Sequence, residues 1–156
     1  MYSITEVEEY RRQAKEVNLS APSEYWNAKP EWLVIVCNGC GSDSMPDWAV
    51  KALTSLYRYY TPAHNIHDVR FELSDGSASS LELANDEFYI NCLRLWRHKY
   101  GFLRAVNPFA LWGLRKIRLA YQALRLFGKS AWVTAYKKHL GRQCVYCNTG
   151  QGEVQT

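Results

Sequence analysis

Histidine and aspartate stand side by side at His67-Asp68, downstream of the glycine-containing stretch Asn38-Gly-Cys-Gly41. A positioned imidazole can take a proton from water as that water attacks a carbonyl. A carboxylate beside backbone carbonyls is the oxygen-rich shell that a hard Ca²⁺ ion prefers, and glycine permits the angles that turn those carbonyls inward. Such an ion would stabilise a developing oxyanion and bind a phosphate. Adjacent helical residues point about 100° apart, so one of the pair can face a neighbouring helix while the other faces the loop. Taken alone, the pair is equally what an amphipathic helix carries on its surface, and Gly39 and Gly41 are equally turn residues. The surrounding elements decide between these readings.

Cysteine offers a second chemistry. The chain has five, four of them paired as Cys37-x-x-Cys40 and Cys144-x-x-Cys147. Two such knuckles can build a four-thiolate zinc site. Here 103 residues separate the pairs, against ~15–20 in a compact zinc ribbon, so buried or incidental thiols are the plainer reading. An odd total fits a reducing compartment. No nucleophile elbow, phosphate-binding loop or dinucleotide fingerprint is present. His64-x-x-His67-Asp68 has the spacing of a metal-phosphohydrolase motif, which needs another histidine well upstream, and none precedes His64.

The elements that must position these groups are helical. Ser3-Ile-Thr-Glu6 is a capping box opening a polar, exposed helix over about 3–17. Residues 18–30 have loop composition, 31–36 form a short buried segment of either helix or strand, and 37–47 are a loop. Apolar residues at Val50, Leu53 and Tyr57 place a helix over 48–60, which Pro62 interrupts or restarts. A helix over about 63–73 ends at Asp75-Gly76, and Ser79-Ser-Leu-Glu82 reads as a second capping box opening a long helix to Tyr100. With the turn at Gly76, His67 and Asn85 lie level on antiparallel neighbours and Asp86 one residue further on. Either could hold the histidine. A helix over 109–127 closes at Gly128 and a shorter one follows over 131–140. The expected fold is mostly α with little or no sheet. It forms a single domain over 1–156, with its core at about 31–141 and a flexible tail at 148–156.

Taken together, these blocks resemble the secretory phospholipase A2 superfamily, particularly its small bacterial, fungal and phage-encoded branches. Asn38-Gly-Cys-Gly41 with Pro46-Asp47 is similar to the calcium loop, Asn65-Ile-His-Asp68 to the His-Asp helix, and residues 84–93 to its partner helix. Tyr121-Gln-Ala-Leu-Arg-Leu-Phe-Gly128 is similar to the closing helix of the bacterial members. The blocks occur in the family's order. The resemblance implies a calcium-dependent hydrolase of the sn-2 ester of glycerophospholipids, acting in lipid degradation. His67 would be the general base, supported by Asn85 or Asp86. Asp68 and the carbonyls of Gly39, Gly41 and Asp43 would hold Ca²⁺.

Three departures bear on activity. Where the family has an aspartate three residues before the helix phenylalanine, this chain has Asn85, and Asp86 is off by one. Asparagine can fix a histidine tautomer but cannot offset an imidazolium charge, which predicts slower turnover. Phe71 stands where an aromatic hydroxyl is usual, and Ser42-Asp-Ser44 where more glycine is.

Charge is lopsided. Residues 1–87 carry 7 basic and 14 acidic side chains, whereas 88–156 carry 12 basic ones and the single acid Glu153. A half of that kind attracts polyanions: an anionic phospholipid bilayer, with nucleic acid as the weaker candidate. Trp48, Trp96, Trp112 and Leu111 are candidates for an interfacial rim, although core positions suit most of them. The longest apolar run, residues 32–37, is far short of the ~20 residues that a membrane span needs. The acidic first residues are unlike a basic signal peptide, which predicts a cytoplasmic site of synthesis with action after release or at a membrane surface. A non-enzymatic module with the same fold, binding nucleic acid or a protein partner with or without a structural zinc, is the alternative from another class.

Overall fold

The computed structural model describes residues 2–37 and 46–149, with side chains placed as far as residue 137 apart from those of residues 47, 49 and 50. Among the described residues there are seven α-helices and no strand. Residues 38–45 and 150–156 lie outside them.

Helix α1 (Ile4–Glu16) opens with the capping box: the Ser3 hydroxyl accepts from Glu6 N–H, and the Glu6 carboxylate accepts from Ser3 N–H at 2.8 Å. Polar on most of its surface, it nevertheless buries Val7 and Ala14 completely. These lie seven residues apart on one stripe, which packs against α3 and α5. The helix is therefore not simply exposed. The stretch read as loop over 18–30 contains a short helix, α2 (Ser23–Asn27), whose Tyr25 enters the core. The ambiguous segment is helix α3 (Pro30–Val36), with Pro30 at its favoured first position and only Leu33 fully buried. Helix α4 (Asp47–Leu56) is followed by a 3₁₀ turn at Arg58–Tyr60.

Pro62 restarts the chain as helix α5 (Thr61–Glu72), again from the first turn, where its missing N–H is not needed. Helix α6 (Ala78–Tyr100) runs back along it. The order of contacts shows the antiparallel sense, since His64 packs on Phe88 while His67, further along α5, meets Asn85, earlier on α6. Gly76 makes the turn with φ +76°, and a Cβ there would lie 2.6 Å from the Tyr136 ring, so both conformation and space require glycine. The cap of α6 is Ser77, not Ser79. The Ser77 hydroxyl accepts from Ser80 N–H, and the Asp75 carboxylate accepts from Ser77 N–H and the Ser80 hydroxyl.

A 3₁₀ turn at Gly101–Ala105 leads to helix α7 (Pro108–Thr149). The expected break at Gly128 is absent. A terminating glycine needs positive φ, which among the described glycines only Gly76 and Gly101 adopt. Gly128 stays helical, and a Cβ on it would just reach Leu81 of α6 at 4.0 Å. A Cβ would fit there without a clash, so Gly128 neither ends the helix nor requires glycine for space. The core runs from Val7, Tyr25 and Leu33 through Ile66 and Val69 to Phe88, Leu95 and Ile117.

Candidate active site

His67 faces α6. Its Nε2 lies 3.1 Å from Asn85 Oδ1 in a buried hydrogen bond. With the amide oxygen as acceptor, Nε2 carries the proton and Nδ1 keeps its lone pair. Phe71 and Phe88 flank the ring at centroid distances of 4.7 and 5.2 Å. These apolar walls leave His67 only 7% exposed, and burial pushes its pKa down to about 4, against smaller upward pulls from the Asn85 hydrogen bond and the Glu87 charge. The imidazole is neutral at pH 7.

Asp86 is not part of this arrangement. It is exposed, and its carboxylate accepts a 2.6 Å hydrogen bond from the Tyr121 hydroxyl on α7. One residue on a helix rotates the side chain by about 100°, which turns Asp86 from α5 toward α7. Of the two candidates, the structure brings only Asn85 to the histidine.

Asp68 follows on α5, half-buried. Its charge reaches Cys37, the last described residue before the loop: burial first, and then Asp68, push the Cys37 thiol above its ordinary range. The Cys37 thiol donates to the backbone carbonyl of Asn65 at 3.6 Å. Cys37 is thereby anchored beside α5. Gly39, Gly41 and Asp43 lie outside the described residues, as does Cys40.

Asn65 opens the Asn65-Ile-His-Asp68 block, but the sequence assigned it no role. It is 1% exposed, and among the described residues neither of its side-chain polar atoms has a hydrogen-bond partner, nor does the Tyr25 hydroxyl. Asn65 and Asp68 are three residues apart and share a helix face. An amide oxygen and a carboxylate are both the oxygen donors that a hard cation such as Ca²⁺ takes.

The zinc reading meets a different chemistry. Cys37 is a buried, protonated thiol that already donates a hydrogen bond, whereas zinc takes a thiolate. Cys144 and Cys147 lie on the continuous helix α7 rather than on a tight knuckle turn, and their side chains lie outside the described set. Among the described residues, no group of three or more His, Cys, Asp or Glu side chains could hold a metal ion.

Two further residues shape the site. The Trp132 ring stacks edge-on against Phe71 at 4.8 Å, and its indole N–H donates to the Ser77 carbonyl. The far stretch of α7 therefore backs the wall beside His67. Arg70 clamps the buried Glu87 with two hydrogen bonds of 2.8 and 3.0 Å, and the Ser20 hydroxyl donates to the same carboxylate. Phe71 was already marked by its spacing from His67, and the same helical spacing could have flagged Arg70, but nothing in the sequence pointed to Trp132. Of the proposed rim, Trp96 is core, with its indole N–H on the Ala110 carbonyl, whereas Trp48, Trp112 and Leu111 are exposed. Among the described residues no helix is long and apolar enough to cross a membrane.

No family model, curated protein or solved structure matches the chain.

Proposed function

We propose that this chain is a calcium-dependent, phospholipase A2-like hydrolase of the sn-2 ester of glycerophospholipids. The observation that supports it most is the His67–Asn85 hydrogen bond, with Asp68 next in sequence and electrostatically coupled to the start of the loop. In this reading Nδ1 of His67 takes a proton from water as the water oxygen adds to the ester carbonyl. It returns that proton to the departing alkoxide when the C–O bond breaks. Asn85 holds the tautomer that leaves Nδ1 free. Asp68, with Asn65 Oδ1 behind it and the carbonyls of Gly39, Gly41 and Asp43, would hold the ion. Bound calcium supplies Lewis-acid polarisation of the ester carbonyl and charge for the phosphate.

Fatty-acid release from phospholipid vesicles tests this. Release should require calcium, stop with a chelator, and fall about 10²-fold or more in His67→Gln, the scale of a lost general base. Undiminished hydrolysis in that variant would remove the assignment.

A second reading is favoured by the neutral Asn85 beside His67 and the absence of a hydroxyl on Phe71. It is a non-catalytic module that uses its basic half on nucleic acid or a protein partner, with or without a structural zinc on Cys37, Cys40, Cys144 and Cys147. It predicts duplex binding without fatty-acid release, and the form with zinc predicts about one zinc per chain by elemental analysis.

A further inference from the structure

The corner between α6 and α7 exposes apolar bulk in a short span. Phe102 is 85% exposed, Val106 78%, Phe109 71% and Leu103 55%. These side chains are presented on a braced backbone. Gly101, with φ +56°, caps α6 by donating its N–H to the Arg97 carbonyl. The Asn107 side chain accepts from Phe109 and Ala110 N–H to open α7, and Trp96 ties the two helices together through the Ala110 carbonyl.

Cations ring this tip. Arg97 and Lys99 lie in the last turn of α6, and the Arg104 guanidinium is held on the Gly101 carbonyl at 2.6 Å. About one turn past Phe109, the half-exposed Trp112 carries the Lys116 ammonium 4.0 Å from its ring centroid. No acidic residue occurs from 88 to 152. An apolar tip, then cations and an amphipathic aromatic, follow the order of acyl chains, phosphates and interface in a bilayer. Nucleic acid would use the cations but leave four large apolar groups in water. A second copy would bring like charge against like.

We propose that the α6–α7 corner is a wedge that inserts into anionic bilayers. It lies fifteen residues along α6 from Asn85, about 22 Å at 1.5 Å per residue, so it is separate from the histidine site. It extends the phospholipid reading above, but adsorption needs neither His67 nor calcium, so the two can fail separately.

The test is co-sedimentation of the full chain with vesicles in chelator, comparing pure phosphatidylcholine with its equimolar mixture with phosphatidylglycerol. At least about tenfold tighter binding to the anionic vesicles is expected, with a loss of about tenfold or more in Phe102→Ser/Val106→Ser/Phe109→Ser at unchanged helicity. Arg97→Glu should lower the anionic preference. If the triple variant does not fold, Phe102→Ser and Arg97→Glu decide alone. The wedge is overturned by absence of vesicle binding, equal binding to both compositions, or undiminished binding of the apolar variants. Duplex-DNA binding that falls with the same apolar substitutions would overturn it too. Vesicle binding without fatty-acid release would leave the wedge standing and remove the enzyme.

Discussion

Tyr121 on α7 donates a 2.6 Å hydrogen bond to Asp86 on α6, and this contact assigns the adjacent asparagine and aspartate to different helices. Asn85 serves α5, whereas Asp86 serves α7. Tyr121→Phe should therefore leave hydrolysis within about twofold of the wild type and cost less than about 1 kcal/mol, the scale of an exposed hydrogen bond. Assays of fatty-acid release and urea unfolding check both.

Asn85→Asp should strengthen the site. A carboxylate at Asn85 Oδ1, 3.1 Å from Nε2, would stabilise the imidazolium that the present amide cannot. The expected rise in the His67 pKa is about 1–3 units, read by NMR titration, with faster ester hydrolysis at neutral pH. An unmoved histidine pKa would show that the two side chains do not meet in solution.

Acid should destabilise the fold through the buried His67 and the half-buried His64. Burial pushes His67 down to about 4 and His64 to about 3, the latter with a further push from His67. The unfolded chain protonates both near pH 6.5. Below that pH the unfolded state binds protons that the native state does not, so stability falls as pH drops from about 6.5 through about 3. Over their windows His67 accounts for about 3 kcal/mol and His64 for about 5 kcal/mol. Urea midpoints at pH 7 and pH 5 measure the effect, and His67→Gln should flatten the slope.

Arg70→Met leaves the Glu87 carboxylate, only 6% exposed, without its cation. A loss of about 3 kcal/mol is expected, and Arg70→Met/Glu87→Leu should lose less because no charge is then stranded. Chemical denaturation of the two variants distinguishes a stranded charge from lost packing.

The hairpin was legible because its signals are local. The first capping box, Gly76 at a left-handed turn and Pro62 at a helix start each fix backbone geometry within a few residues. From the turn, the level of His67 with Asn85 follows by counting. The second cap misled, because Ser77, Ser79 and Ser80 offer competing hydroxyls and only the path of the backbone chooses among them. Gly128 misled for a related reason: glycine ends a helix only where the backbone turns to positive φ, and here α7 continues through it while packed on α6.

The sequence by itself determined the helical periods, the turn, the one-sided charge and the adjacency of a base to a carboxylate. Tertiary structure alone decided that Asn85 rather than Asp86 meets the histidine, that Trp132 backs Phe71, that Asn65 is buried and that Phe102 is left in water. Those facts depend on which faces of distant helices are pressed together, and hydrophobic burial selects that arrangement through contacts that no short stretch of chain contains.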